Sequence, residues 1–105
     1  MYLRVLNFKF PNELAKKSVI ALTRNTTKDQ FKNGLLMRLH ADVSPNISIA
    51  VLLWRSKKDF EEAYKVFGSQ FIADMKELGT IVTTNEGPAE VDKAKEIDYS
   101  KFNEL

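Results

Sequence analysis

The sequence predicts a single α+β domain whose elements follow one another as strand, helix, strand, strand, helix, strand. Apolar residues alternate with a period of two, or run without interruption, in four short segments, and they recur with helical spacing in two longer ones. Turn residues separate the segments, and a length of 105 residues suits one domain rather than two. This order is the split βαβ arrangement of ferredoxin-like domains, which have a four-stranded antiparallel sheet.

The first strand and the first helix are predicted from the residues before position 25. Residues 2–10 are apolar on both alternating faces, a pattern typical of a central strand that is covered on both sides. Pro11 is predicted to open the helix, because its missing N–H costs nothing at that position. The apolar stripe of the helix fades near Arg24, and residues 25–30 are predicted to form a polar connection.

The second strand shows the clearest alternation in the chain. Gly34 provides the turn before it, and residues 35–43 follow with a period of two. One face of this strand is predicted to carry a mixed set of side chains, namely Leu36, Arg38, His40 and Asp42.

The second half of the chain predicts a strand, a long helix and a short last strand. Residues 47–55 are almost all apolar, which again suits a central strand. Ser56, with an acidic residue three positions later, resembles a capping box at the start of the helix, and Gly79 is predicted to end it. Gly68 could kink or break the helix in its middle. Residues 80–84 are β-branched and predict the last strand.

The pattern also predicts a homodimer. Two helices can cover only one face of a four-stranded sheet. Because both predicted central strands are apolar on both sides, we expect a second copy to cover the other face and form a dimeric α/β barrel. Residues 1–87 are assigned to this domain, and residues 88–105 to a charged C-terminal arm.

Composition excludes several kinds of site. The chain has no cysteine and one histidine, so it offers no disulfide, no thiolate site and no multi-histidine metal centre within one subunit. Sixteen basic residues are scattered among fourteen acidic ones, so no nucleic-acid partner is expected. There is no apolar run of membrane-spanning length and no signal peptide before the first strand, which predicts a cytoplasmic protein without a membrane partner.

The junction between the third strand and the long helix resembles a known family. Residues 48–60, SIAVLLWRSKKDF, are similar to a segment of antibiotic-biosynthesis-monooxygenase-like proteins, in which an apolar strand ends in Trp and is followed by a basic residue, Ser, a polar stretch and Phe. With the element order, the resemblance covers about residues 2–85. It implies a ferredoxin-like subunit whose dimer encloses one cavity per subunit, between sheet and helices. Members include cofactor-independent oxygenases, haem-degrading oxygenases, decarboxylases and isomerases.

The resemblance does not extend to the haem-degrading branch. The Asn that those proteins carry late in the first strand is matched by Asn7. Where they carry a Trp on the long helix, this chain has Ala63 and Tyr64, and Met75 stands at the place of the haem-ligating His. Because the axial ligand is missing, no cofactor is expected.

Three polar residues are candidates for catalysis: His40, Arg38 and Asn7. If the mixed face of the second strand looks into the cavity, Arg38 could hold a carboxylate or enolate oxygen and His40 could transfer a proton. The alternative is the solvated side of an edge strand, where alternating charge is normal. Asn7 is polar within an apolar strand, so it either bonds to the backbone or faces a ligand.

Five apolar or aromatic residues are candidates for binding a ligand: Leu36, Leu52, Trp54, Tyr64 and Phe67. Trp54 could stack on a planar ligand, or it could anchor the core with its N–H satisfied. Tyr64 and Phe67 could line a pocket, or they could belong to the core, as aromatic residues at helical spacing often do.

Three functions are compatible with these residues. The first is binding of a small, largely hydrophobic ligand with a polar or anionic head, such as a fatty-acid-like or phenolic compound, in a barrel cavity. The second is a cofactor-independent monooxygenase or isomerase acting on a phenolic or polyketide-like substrate, with His40 as general base and Arg38 or Asn7 stabilising an oxyanion. The third is a structural or interaction dimer without a pocket. The sequence leaves open whether the protein is an enzyme.

Overall fold

A computed structural model describes residues 1–96 and confirms the predicted order of elements. The elements are β1 (Tyr2–Lys9), α1 (Glu13–Phe31), β2 (Leu35–Ser44), β3 (Ile47–Trp54), α2 (Lys57–Glu77) and β4 (Ile81–Pro88). Residues 89–96 follow β4 without helix or strand. The rest of the predicted C-terminal arm, residues 97–105, lies outside the described residues.

The strands form one antiparallel sheet in the order β2-β3-β1-β4. β1 and β3 are central, as their apolar sequences predict, and their register places Tyr2 opposite Trp54. On its other side, β1 pairs with β4, with Phe8 opposite Val82. The chain therefore has the ferredoxin-like α+β fold that the sequence predicts.

The core lies between the helices and one face of the sheet. It contains Tyr2, Leu6, Phe8, Phe10, Val19, Leu35, Ala50, Leu52, Trp54, Phe60, Ala63 and Met75. Trp54 is 1% exposed and meets the Phe60 ring edge-on, with 5.8 Å between ring centroids. No helix among residues 1–96 covers the opposite face of the sheet, and there Leu39 is 50% exposed and Ile81 is 61% exposed. Any cavity enclosed within one chain must therefore lie on the helix side.

α1 is longer than the sequence predicts. Its N-cap is Asn12, whose side chain accepts a hydrogen bond from the Ala15 N–H at 2.8 Å, so the helix begins just after Pro11. It then continues through residues 25–30 to Phe31, where a polar connection was predicted. Thr27 is among its buried residues, so α1 goes on packing against the sheet after its apolar stripe has ended.

α2 begins as predicted but does not break. Ser56 is its N-cap, and the Ser56 hydroxyl accepts a hydrogen bond from the Asp59 N–H at 3.1 Å. The helix continues through Gly68, where a Cβ atom would lie 2.8 Å from ring carbons of Tyr64, so glycine makes room for that ring. Within residues 1–96, neither helix is apolar over a stretch long enough to cross a lipid bilayer.

β4 extends beyond the predicted residues 80–84 and ends at Pro88. It pairs with β1 along its whole length, from Ile81 opposite Lys9 to Pro88 opposite Tyr2. These backbone hydrogen bonds extend the strand past the β-branched residues that predicted it.

Candidate functional site

A cavity of about 120 Å³ lies between the sheet and the two helices. Most of its wall is apolar or aromatic, formed by Leu6, Phe8, Ala50, Leu52, Trp54, Phe60, Ala63, Tyr64, Phe67 and Phe71. β1 and β3 supply the floor, because their even-numbered residues face the helices. Such a wall suits a hydrophobic molecule.

A guanidinium group forms part of one side of the cavity. Arg38 stands on β2 opposite Leu52, and its Nη2 and Nη1 donate to the hydroxyl oxygens of Thr23 at 2.9 Å and Thr27 at 3.1 Å. Both threonines are on α1, four residues apart, so they share one helix face. Burial lowers the pKa of the Arg38 guanidinium, and the positive charge of Arg24 lowers it further.

A second arginine, on the central strand β1, also lines the cavity. The Arg4 guanidinium carbon lies 4.2 Å from the centroid of the Phe60 ring, a cation–π contact. Its Nε also donates to the Glu86 carboxylate at 2.6 Å. The charge of Arg4 is therefore paired within the chain.

The Trp54 side chain carries a buried donor without a partner. Its Nε1–H finds no acceptor among residues 1–96, although the side chain is almost fully buried. A buried unpaired N–H costs about 1–3 kcal/mol, so such groups are uncommon in folded proteins. Trp54 lines the cavity, and an oxygen of a bound molecule could accept this hydrogen bond.

The structure brings five of the eight candidate residues together. Arg38, Leu52, Trp54, Tyr64 and Phe67 all line the cavity. Their role in binding stays a prediction, as do the roles of the three other residues.

The predicted placement of Leu36 is wrong. A bulge lies between Leu35 and Met37, so that Leu35 stands opposite Trp54 and is buried, while Leu36 is the unpaired residue and is 50% exposed. The bulge shifts the alternation by one residue at the start of β2. Leu36 therefore does not line the cavity, although Arg38 does.

His40 faces the helices but lies outside the cavity lining. It stands opposite Ala50, and its Nε2 is 3.1 Å from Oδ1 of Asp42. Hydrogen bonds from His40, Ser48 and Lys16 lower the pKa of the Asp42 carboxyl to about 2. The Nδ1 of His40 is buried and has no partner among residues 1–96. His40 thus belongs to a polar cluster with Asp42, Ser48 and Lys16, away from the apolar wall.

Asn7 lies on the opposite face of the sheet from the cavity. It is half-buried on β1, between Ile49 of β3 and Thr83 of β4. Because odd-numbered residues of β1 point away from the helices, Asn7 could meet a ligand of this cavity only if the strand register changed.

Sequence reasoning missed the polar side of the cavity. Thr23, Thr26, Thr27 and Gln30 line it from α1. The spacing of four and three residues between Thr23, Thr27 and Gln30 is helical and could have found this side, but the polarity of residues 25–30 predicts a connection.

Comparisons with known proteins identify the fold. No protein-family model matches the sequence, and no curated protein matches it. A candidate antibiotic biosynthesis monooxygenase from Deinococcus radiodurans has 18% identity and a TM-score of 0.73, covering 93% of this chain and 99% of its own. A dimeric ferredoxin-like protein from an uncultured marine organism has 12% identity and a TM-score of 0.71, over 90% of this chain and 100% of its own.

A third solved structure is that of SnoaB, a cofactor-independent oxygenase from Streptomyces nogalater. It has 16% identity and a TM-score of 0.65, covering 85% of this chain and 92% of its own. At this level of identity the likeness shows the fold. The structural neighbours of this chain are therefore antibiotic-biosynthesis-monooxygenase-like proteins, whose ferredoxin-like fold it has.

Proposed function

We propose that the protein is a homodimer that binds a small, largely hydrophobic ligand with a polar or anionic head in the cavity of each subunit. The observation that carries the proposal is the cavity itself, whose wall combines ten apolar and aromatic side chains with eight polar or charged ones. A filled interior would instead have favoured an interaction module without a pocket.

The homodimer is supported by the face of the sheet that no helix of the described residues covers. Leu39 and Ile81 are exposed there, and Val51 of the central strand β3 is half-buried in the single chain. Exposed apolar side chains on a sheet face of this kind are typical of an interaction surface. One structural neighbour is described as a dimeric ferredoxin-like protein, which supports a homodimer.

A cofactor-independent oxygenase is the second candidate. It is supported by the fold likeness to the Streptomyces nogalater oxygenase. Arg38 could stabilise an oxyanion in the cavity. His40, the base expected for an oxygenase or isomerase, does not line the cavity, so binding has more support than catalysis. Oxygen uptake after addition of a phenolic compound distinguishes the two.

Cavity-filling substitution tests the binding proposal. Ala63 of α2 lines the cavity and is 5% exposed, so Ala63→Leu would place extra methyl groups inside it. The single tryptophan, Trp54, lines the same cavity, so its fluorescence reports on binding there. We expect fatty acids and phenolic compounds to change the emission of the wild-type protein and to lose at least tenfold in affinity for Ala63→Leu.

The matched control is Ala73→Leu, which adds the same side chain at an exposed position of the same helix. Overpacking costs about 1–3 kcal/mol, so thermal unfolding should first show that Ala63→Leu is folded. Equal affinities for Ala63→Leu and Ala73→Leu would contradict binding in this cavity.

A further inference from the structure

Arg38 is a cation that no acid of the described chain neutralises. Among residues 1–96, no carboxylate lies within 4.0 Å of its guanidinium nitrogens, whereas Arg4, the other arginine of the cavity wall, is paired with Glu86. A half-buried charge without a counter-ion is costly, because it has lost part of its hydration. Its presence in a cavity wall therefore indicates that something else supplies the negative charge.

The contacts of Arg38 hold the guanidinium in place without neutralising it. The Thr23 hydroxyl also lies 3.2 Å from the Ile20 carbonyl, and the Thr27 hydroxyl lies 2.7 Å from the Thr23 carbonyl. Each hydroxyl hydrogen is thus used within α1, so that its lone pairs accept from Arg38. Two of the five N–H groups of Arg38 are bonded in this way, and the other three have no acceptor among residues 1–96.

The surroundings add positive rather than negative charge. Arg24 is near enough to lower the pKa of Arg38, and no acid among residues 1–96 acts on that pKa in the opposite direction. Asp74 is the carboxylate of the cavity wall, but it accepts a hydrogen bond from Gln70 at 2.7 Å and lies beyond ion-pair distance from Arg38. An anion in this part of the cavity would be attracted to the Arg38 guanidinium on β2.

A second donor stands on the same face of the sheet. Trp54 follows Leu52 on the helix side of β3, and Leu52 is opposite Arg38. Successive residues on one face are about 7 Å apart, so the two side chains border neighbouring parts of the wall. The buried, unpaired indole N–H is an independent sign that a hydrogen-bond acceptor belongs here.

We propose that the ligand is a compact monocarboxylic acid whose carboxylate binds Arg38 while its ring or short alkyl chain occupies the aromatic part of the cavity. This inference rests on the proposed binding function and narrows its ligand class. A planar guanidinium matches a carboxylate through parallel hydrogen bonds, which favours a carboxylate over a neutral head. A cavity of about 120 Å³ suits a single ring or a short chain, since an engineered cavity of about 150 Å³ accepts benzene.

The competing explanation is that Arg38 only ties β2 to α1 and that the ligand is neutral. Acid and amide pairs of equal shape separate the two. We would titrate phenylacetate against phenylacetamide, and octanoate against octanamide, into the full chain by calorimetry and by Trp54 fluorescence. We expect each acid to bind at least about tenfold more tightly than its amide, as charge-assisted hydrogen bonds require.

Three variants complete the test. Arg38→Gln should bring the acid and amide affinities to within about twofold, and Arg38→Lys should retain part of the preference because it retains the charge. Arg55→Gln is the control, since it removes a paired arginine that bonds to Asp59 at 2.6 Å outside the cavity wall, and it should keep the full preference. Arg38→Lys also covers the case in which Arg38→Gln does not fold.

Two failures would be distinguishable. Equal binding of acids and amides by the wild-type protein would contradict a contact between a ligand carboxylate and Arg38. A preference for acids that Arg38→Gln retains would contradict it as well. Neither result would contradict ligand binding in the cavity. If neither acids nor amides bind at millimolar concentration, both the carboxylate contact and the proposed binding function are contradicted.

Discussion

At the scale of single residues, polarity alone did not tell which side chains share a site. Arg38 and His40 stand two positions apart on the same strand face, yet Arg38 lines the cavity and His40 contacts Asp42 outside it. The alternation of β2 predicts the shared face but not the position of a residue along the groove between sheet and helices. That position depends on how α1 packs over the strand, and the alternation within a strand gives no information about this packing.

The Asp42 cluster gives a pH prediction. Its hydrogen bonds hold the pKa of the Asp42 carboxyl at about 2, below its usual 3.8, so the charged carboxylate stabilises the fold. This stabilisation is complete above about pH 4 and is lost as the pH falls through about 2. We expect the thermal midpoint of the wild-type protein to exceed that of Asp42→Asn at pH 5, and the difference to shrink towards pH 2.

The control is Asp29→Asn, since the Asp29 side chain makes no hydrogen bond or ion pair with residues 1–96. The difference in thermal midpoint between the wild-type protein and Asp29→Asn should change less between pH 5 and pH 2. If the difference in thermal midpoint between the wild-type protein and Asp42→Asn is constant over this range, the cluster does not stabilise the charged carboxylate.

At the scale of elements, the strands and helices were predictable where an apolar pattern or a cap marked them. Ser56 marks the start of α2, and the apolar runs mark β1 and β3. The apolar pattern did not predict the last turns of α1, because the helix has no apolar stripe there. It packs instead through the buried Thr27, whose hydroxyl accepts a hydrogen bond from Arg38. It also failed at the start of β2, because a bulge leaves no trace in an alternating sequence.

The contact between α1 and β2 can be tested with two threonines. Thr26 and Thr27 each lie within hydrogen-bond distance of a carbonyl four residues earlier, but only Thr27 accepts from Arg38. Thr→Val keeps the shape and the β-branch, so the difference between Thr27→Val and Thr26→Val reflects mainly that contact and the burial of Thr27. We expect Thr27→Val to reduce the free energy of unfolding by about 1–2 kcal/mol more than Thr26→Val, measured by urea denaturation.

Equal losses for the two valine variants would contradict a stabilising bond between α1 and β2. In that case the guanidinium would not be fixed by the threonines, and its orientation towards the cavity would need another cause.

At the scale of the whole molecule, the fold accounts for two different apolar surfaces. The helices cover one face of the sheet, and the cavity lies between the helices and that face. The other face exposes Leu39 and Ile81. A sheet that is apolar on both sides is stable in water when both are covered. We therefore expect a ligand cavity within each subunit and a homodimer across the open face.

Native mass spectrometry with added phenylacetate tests the dimer and its ligand cavity together, because one spectrum counts both subunits and ligands. We expect a dimer that takes up one acid per subunit. Leu39→Asp, on the open face, should shift the protein to monomers, whereas Leu14→Asp, at a position of α1 that is 75% exposed, should remain dimeric. A wild-type protein that is monomeric and takes up no acid at saturating concentration would contradict both the dimer and the ligand cavity.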